Sequence, residues 1–249
     1  MLKKLSLSIL FLSSYLIANT INIAVSANVS YAIDDLIKEF NIIHPNTKVQ
    51  VTLGSSGKLT AQIQNNAPYS LFMSANMLYP NNLYQKGFAT TKPKIYAKGG
   101  LAILSTKRYD LSKGIYLLED KHIKKIAVAN PKTAPYGIAT KEALKNANLY
   151  TNIKSKFIYG ESISQTVSYT VIATDIGIVA KSSLYSKNMS KYKKNINWID
   201  VDNKLYTPIS QGIVLLKTAN KNKETKLFYN FILSQKGKDI FKKFGYIAP

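Results

Sequence analysis

The residues Gly54-Ser55-Ser56-Gly57 separate an apolar extended run from a helical run, and their types suit a turn that binds an anion. Glycines let the backbone turn sharply, two hydroxyls are available, and the first N–H groups of a helix lack partners within that helix. The spacing to Lys58 is not that of a Walker-type phosphate loop. Alone, the turn is also explained as an ordinary helix start.

Three further strand-to-helix junctions carry similar residues: Asn28 after a strand, Tyr136-Gly137 after a proline-containing turn, and Ser162-Ile163-Ser164. Each has an ordinary explanation as a helix cap or a helix start shaped by proline. In open α/β sheets, however, ligands bind beyond the carboxyl ends of the strands. Four such junctions converging from two lobes predict a polar, uncharged pocket that suits a small oxyanion.

Residues for catalysis are scarce. The chain has no cysteine, His44 and His122 lie in polar stretches without metal-ligand spacing, and Glu119 and Glu161 have no evident carboxylate partner. A Gly-x-Ser-x-Gly elbow in a strand–turn–helix setting is also missing. We therefore predict a protein that is not an enzyme, that needs no cofactor and that has no direct metal site.

The formal net charge is +21, which by itself suggests nucleic acid or an anionic surface as partner. Arg108 is the single arginine among 34 basic residues, and the lysines are spread along the chain. Readers of bases and phosphates usually rely on the bidentate arginine fork. We therefore expect a solvated basic surface and no nucleic-acid partner, with a nucleic-acid-binding protein as the least favoured alternative.

The first 18 residues have the features of a secretory signal: a basic start, an apolar stretch over 5–17 and small residues ending at Ala18. The apolar stretch is short for a membrane span. We expect cleavage near Ala18 and an exported, periplasmic protein, and a retained anchor is the alternative. Attachment of a lipid to an N-terminal cysteine is excluded.

Hydrophobic periodicity indicates alternating strands and helices, which is typical of α/β sheets. Predicted strands cover 21–25, 49–53, 70–75, 101–105, 126–129, 157–159, 176–180 and 213–217, and two amphipathic helices follow. We predict two α/β lobes, each a mostly parallel sheet flanked by helices, joined by crossovers near 98–100 and 206–208. The predicted division is a signal peptide at 1–18, a first lobe at 19–98 and 207–249, and a second lobe at 99–206.

Five segments carry a resemblance to a known family: 24–29 (AVSANV), 54–59 (GSSGKL) with 61–63 (AQI), 67–75 (APYSLFMSA), 130–137 (NPKTAPYG) and 176–179 (IGIV). In this order they resemble the periplasmic molybdate-binding proteins, the soluble receptors of molybdate import systems. The similarity runs from about 22 to 246. It implies a periplasmic-binding-protein-like fold, a monomer that binds molybdate or tungstate, and the membrane permease of an ABC transporter as partner.

The resemblance also implies a set of ligand-binding residues: Asn28 and Ser56 from the first lobe, the backbone N–H groups of Tyr136 and Ile163 from the second, with Ala27 and Ser55 lining the same junctions. This chain departs from many members at Asn28, where several have serine, and at Ala180, where others have tyrosine. Ser70 and Asn76 stand where many have aspartate. Molybdate and tungstate are nearly the same size, so the sequence does not separate them, and a receptor for sulfate or phosphate is the nearest alternative function.

Overall fold

The computed structural model describes residues 19–247 and residue 249. The predicted signal peptide, residues 1–18, lies outside the described residues. Within the described part of the chain, none of the helices combines the length and the apolar character needed to cross a membrane.

The described residues form two five-stranded sheets. The strands in chain order are β1 Asn19–Ser26, β2 Thr47–Gly54, β3 Leu71–Met73, β4 Lys94–Gly99, β5 Leu101–Leu104, β6 Ile126–Ala129, β7 Phe157–Gly160, β8 Ile176–Ala180, β9 Trp198–Asp200 and β10 Ile209–Leu215. The first sheet has the order β2-β1-β3-β10-β4 and the second the order β7-β6-β8-β5-β9.

Both sheets are mixed. In the first, β1 pairs parallel with β2 and β3, while β10 is antiparallel to β3 and β4. In the second, β6 is parallel to β7 and β8, while β5 is antiparallel to β8 and β9. The predicted two-lobed α/β fold with a mostly parallel sheet in each lobe is therefore confirmed: four of the five strands of each sheet run in one direction, and the reversed strand is β10 in the first sheet and β5 in the second. Strands β5 and β10 enter their sheets directly from the other lobe, without a helical crossover that would make them parallel.

Eight α-helices cover the sheets within the described residues: α1 Ile33–Ile43, α2 Ser56–Gln64, α3 Leu78–Gln85, α4 Pro135–Asn146, α5 Tyr150–Ile153, α6 Ile163–Ile172, α7 Lys223–Leu233 and α8 Gln235–Lys243. In α1, Ile33, Leu36 and Phe40 are buried at helical spacing, and Asp34 and Asp35 occupy the first turn. Acidic residues there are favoured by the positive end of the helix dipole.

Four helices and strands escaped the sequence prediction: α3, α5, β4 and β9. Helix α3 contains Pro80 at its third position, which disguises a short helix as a turn. Strand β4 carries lysines at Lys94 and Lys98, and β9 has only three residues. Such short or partly polar strands give little periodic signal.

Each lobe has its own apolar core. In the first lobe, which comprises the first sheet with α1–α3, α7 and α8, Phe40 meets Phe228 edge to face at 5.0 Å between ring centroids. In the second lobe, the second sheet with α4–α6, the core gathers aliphatic side chains such as Ile103, Ile126 and Ile178. Full burial of each such side chain stabilises the fold by about 1.5–3 kcal/mol.

The chain passes from the first sheet to the second at Gly100, between β4 and β5, and returns through residues 201–208, between β9 and β10. These segments lie at or beside the predicted crossovers. Ala27 and Ala75 of the first lobe pack into the apolar cluster of the second lobe, so the two lobes are in contact. The exact domain limits stay a prediction.

Candidate functional site

The ends of strands and the beginnings of helices from both lobes meet around a small cavity of about 10 Å³. The cavity is lined by Ser26, Ala27, Gly54, Ser55, Ser56, Ala75, Ala134, Pro135, Tyr136 and Ile163. Three of the four predicted junctions therefore deliver an α-helix start to one place: α2, α4 and α6. The set contains five of the six predicted ligand-binding residues.

Ser55 supplies a free hydroxyl to this cavity. It precedes α2 with extended backbone angles, the usual position of a capping residue, but its side chain makes no capping hydrogen bond. Its Oγ is buried and has no hydrogen-bond partner among the described residues. A buried hydroxyl without a partner is destabilising by about 1–3 kcal/mol. An acceptor placed in the cavity would satisfy it.

Ser56, the first residue of α2, is fully buried, and its hydroxyl already has protein partners. Its Oγ accepts from the backbone N–H of Ala75 at 3.0 Å and lies 2.7 Å from Ser26 Oγ. A hydroxyl has one proton and two acceptor sites. If Ser26 donates to Ser56, both acceptor sites are filled and the Ser56 proton remains for a ligand.

The second lobe contributes two helix starts. Pro135 is the first residue of α4, where its missing N–H is harmless, and the N–H of Tyr136 follows it. Ser162 caps α6 by accepting from the N–H of Gln165 at 3.3 Å, as the ordinary capping explanation predicts. The N–H of Ile163, in the first turn of α6, lacks an acceptor within its own helix.

Asn28 does not open the first α-helix and does not line the cavity. It lies in a 3-10 helix, Ala27–Tyr31, and α1 starts only at Ile33. Its Nδ2 donates to Gln211 Oε1 at 2.8 Å and to Tyr246 Oη at 2.9 Å. Both protons of the side-chain amide are thus used within the first lobe. The expected N-cap role is corrected, and direct contact of Asn28 with a ligand stays a prediction.

Contacts between the lobes surround the cavity. Ser182 Oγ donates to the backbone oxygen of Asn28 at 3.3 Å. On another side, the start of α2 meets the loops before α4 and α6: Lys58 Nζ lies 3.4 Å from the carboxylate of Glu161. Between residues 19 and 247 this is the only ion pair that joins the two lobes.

The lining is electrically neutral except for the helix dipoles: no charged side chain occurs among the ten lining residues. Burial is the main reason that the pKa of Tyr136 lies well above its usual value, so this phenol keeps its proton. Over the described residues, His, Cys, Asp and Glu form no group that could hold a metal ion. Three helix N-termini and two hydroxyls in a sheltered space can bind an anion without a counter-charge.

Comparison with known proteins agrees with this architecture. The family model of bacterial extracellular solute-binding proteins matches residues 21–247. The chain belongs to this family. It is 30% identical to the molybdate-binding protein ModA of Azotobacter vinelandii over 231 residues, covering 92% of this chain and 90% of that protein. It is 32% identical to ModA of Rhodobacter capsulatus over 204 residues, covering 80% of this chain and 77% of that protein.

Solved structures give the same picture. The periplasmic molybdate-binding protein of Azotobacter vinelandii superposes with a TM-score of 0.84 at 28% identity, covering 92% of this chain and 99% of that one. The sulfate-binding protein SubI of Mycobacterium tuberculosis, at 12% identity and a TM-score of 0.74, shares the fold alone. Membership of an extracellular solute-binding family confirms the predictions of export and of a binding protein that is not an enzyme.

Sequence reasoning missed the residues behind the cavity in this solute-binding protein. Gln211, Tyr96 and Tyr246 are buried and are joined to Asn28 or to one another by hydrogen bonds. The one available signal was Gln211, a polar residue directly before the apolar second half of β10. Ala75 and Ala134 complete the lining, but small apolar residues carry no chemical signal of their own.

Proposed function

We propose that this solute-binding protein captures molybdate or tungstate in the cavity between its lobes and delivers it to the membrane permease of an ABC transporter. The observation that carries the proposal is the buried, unpartnered hydroxyl of Ser55, at a cavity where three helix N-termini converge. The ModA relatives, named for molybdate binding and similar over most of the chain, support this ligand class.

The dianion would be bound without its water shell by neutral donors. The hydroxyls of Ser55 and Ser56 and the backbone N–H groups of Tyr136 and Ile163 are the proposed direct contacts, with Ala27 in van der Waals contact. Each sheltered helix N-terminus contributes up to about 1–2 kcal/mol toward a negative charge. Asn28 does not line the cavity and both of its Nδ2 protons are donated elsewhere, so we propose that its contact with the ligand is limited to its backbone N–H, which follows the lining residue Ala27.

Fixed donors also discriminate by size. Sulfate is a smaller tetrahedron than molybdate, so donors spaced for the larger ion leave some N–H or O–H groups unpaired around sulfate. Each buried unpaired donor is unfavourable by about 1–3 kcal/mol. A preference for molybdate and tungstate over sulfate follows from this spacing.

The donors come from both lobes, so a bound oxyanion stabilises the closed arrangement by its higher affinity for it. We propose that the permease recognises this closed form. We further propose a monomer, exported to the periplasm and cleaved near Ala18, with lobes at 19–98 plus 207–249 and at 99–206.

A thermal-unfolding series with molybdate, tungstate, sulfate and phosphate tests the function. A ligand at about 1,000 times its Kd raises the free energy of unfolding by about 4 kcal/mol. We expect a large rise in Tm with molybdate or tungstate, and little with sulfate or phosphate. Absence of any shift with the first two ions would overturn the proposal, and a shift with sulfate or phosphate alone would reassign the ligand. Polynucleotide binding with a steep salt dependence would point instead to nucleic acid.

A further inference from the structure

Gln211 lies at the centre of a buried hydrogen-bond network next to the candidate site. Its side chain is fully buried, at a point where the pairing of β10 with β4 shifts register between Gln211 and Gly212. Its Oε1 accepts from Tyr96 Oη at 2.7 Å and from Asn28 Nδ2 at 2.8 Å. Its Nε2 donates to Tyr136 Oη at 3.3 Å. One amide thus holds three side chains.

The network reaches both lobes. Asn28 and Tyr96 belong to the first lobe, whereas Tyr136 stands in the first turn of α4 in the second lobe. The Gln211–Tyr136 hydrogen bond therefore ties the first sheet to the helix start whose N–H faces the cavity. Asn28 is fixed from a second side by Tyr246, whose hydroxyl donates to the Asn28 backbone oxygen at 2.8 Å.

The crossover between the lobes is shaped to admit this contact. Gly99 is the last residue of β4, and a methyl group on its Cα would overlap with Tyr136 Oη and approach Gln211 Nε2 to 2.8 Å. Only glycine leaves room for the phenol at the point where the chain leaves the first lobe. The side chain of Tyr136 thus reaches from the cavity to the end of β4, where the chain crosses to the second lobe.

We infer that Gln211 is a positioning residue that fixes the distance between the donors of the two lobes and thereby sets the size of oxyanion that the cavity accepts. This inference rests on the proposed function. Gln211 does not line the cavity; it acts through Asn28 and Tyr136, which stand at the junctions of opposite lobes. The hydrogen bonds of Gln211 to Asn28, Tyr96 and Tyr136 hold these side chains in one arrangement in a dry interior, although Asn28 Oδ1 is buried without a partner. Loss of the Gln211 bonds would leave the lobes free to close further.

Two substitutions separate the geometry of the network from its charge. Gln211→Met keeps the volume but removes every hydrogen bond of the side chain, including the one to Tyr136 in the second lobe. The lobes are then held less firmly at one spacing and can close around a smaller ion. Gln211→Glu keeps acceptors for Tyr96 and Asn28, and its second oxygen accepts from the Tyr136 hydroxyl, but it adds a buried negative charge behind the site. The first should change selectivity, and the second should weaken the binding of all oxyanions alike.

The experiment is isothermal titration of molybdate and of sulfate into the full mature protein and its variants. For Gln211→Met we expect about a tenfold loss of molybdate affinity and a fall of similar size in the ratio of the sulfate Kd to the molybdate Kd. For Gln211→Glu we expect both affinities to fall while the ratio stays within about twofold of wild type. Thr225→Val, which removes a buried hydroxyl bonded to Ser70 in the first lobe, is the control and should leave the ratio unchanged.

A Gln211→Met variant that is destabilised but keeps the wild-type ratio would show a merely structural role and would overturn the inference. If that variant does not fold, Tyr136→Phe removes only the hydroxyl that accepts the hydrogen bond from Gln211. This variant must then also lower the ratio of the sulfate Kd to the molybdate Kd. A wild-type protein that binds neither molybdate nor tungstate overturns the proposed function together with the inference. If the wild-type protein binds molybdate but the ratio of the sulfate Kd to the molybdate Kd is unchanged in both Gln211→Met and Tyr136→Phe, the inference alone is overturned.

Discussion

The backbone N–H of Gly57, in the first turn of α2, donates to the backbone oxygen of Thr133 in the opposite lobe at 2.9 Å. This hydrogen bond joins the lobes beside the cavity, where α2 faces the loop before α4. Thr133 Oγ1 in turn donates to the backbone oxygen of Glu161, next to the start of α6. Closure therefore aligns all three helix starts through one short chain of contacts.

Gly57→Ala should weaken ligand binding without weakening the fold. A Cβ at this position would lie 2.9 Å from Tyr79 Oη, the end of a half-buried side chain of the same lobe that can shift. It would also lie 3.0 Å from the oxygen and 3.1 Å from the Cα of Thr133, which are backbone atoms, so the lobes would have to move apart to accommodate it. Within one lobe, alanine favours the helix over glycine by up to about 1 kcal/mol. Titration should give about a tenfold higher Kd for molybdate, while urea unfolding of the ligand-free protein should show equal or higher stability. A loss of stability in the ligand-free protein would place the damage in the fold instead.

Ser55→Ala and Ser56→Ala should separate a ligand contact from a structural one. Removal of the unpartnered Ser55 hydroxyl leaves no protein group unpaired, so the free protein should keep its stability while molybdate affinity falls about tenfold. Removal of the Ser56 hydroxyl leaves the Ala75 N–H and Ser26 without their partner, and should lower the free energy of unfolding by about 1–3 kcal/mol as well as the affinity.

Chemical denaturation and titration of both serine variants provide the measurement. Equal loss of stability in the two variants would contradict the hydrogen-bond assignment. Unchanged affinity in Ser55→Ala would remove that hydroxyl from the proposed set of donors.

The Lys58–Glu161 ion pair should stabilise the closed form modestly and in a salt-dependent way. Both side chains are about half exposed, and exposed pairs contribute about 0–1 kcal/mol. Lys58→Glu and Glu161→Lys should each raise the molybdate Kd through loss of the pair, and the double exchange should recover up to about fivefold of that loss at low salt.

Titration of the four proteins at low and high ionic strength measures the coupling between the two charges. The matched control exchanges Lys243 and Asp35, an exposed pair at 2.8 Å within the first lobe, and should leave the Kd unchanged. Additive effects at low salt, with no recovery in the double variant, would show that the pair does not contribute to closure.

The sequence predicted the junctions better than it predicted what each side chain does there. The alternation of strands and helices correctly predicted that Ser55, Ser56, Tyr136 and Ile163 lie at one cavity, because the ends of parallel strands in each sheet meet at one edge. The choice between Ser55 and Ser56 depends on partners that are distant in sequence, such as the N–H of Ala75. No local pattern contains that information.

Asn28 illustrates the same limit. Its position after β1 was predicted, but its amide is oriented by Gln211 and Tyr246, which are 183 and 218 residues away along the chain. The strand directions of β5 and β10 depend likewise on how the chain crosses between lobes. Long-range contacts of this kind follow from tertiary packing and not from periodicity.

Asp175, which immediately precedes β8 in the second lobe, should make the stability of that lobe fall in acid. Burial alone would raise its pKa, but the hydrogen bond from Lys107 and those from the N–H groups of Lys124 and Lys125 outweigh this and lower the pKa to about 2. A group with a depressed pKa in the folded state contributes stability above its unfolded value of 3.8 and loses it as the pH falls toward the folded value.

Urea unfolding between pH 7 and pH 2 tests this prediction with the wild type and Asp175→Asn. The wild type should lose about 1–2 kcal/mol from this group between about pH 5 and pH 2, whereas the variant should lack that amount at neutral pH and show a flatter acid profile. Because Asp175 lies at the end of β8 opposite to the cavity, its replacement should leave the molybdate Kd at neutral pH unchanged. Parallel acid profiles in the two proteins would show that the Asp175 contacts do not depress its pKa.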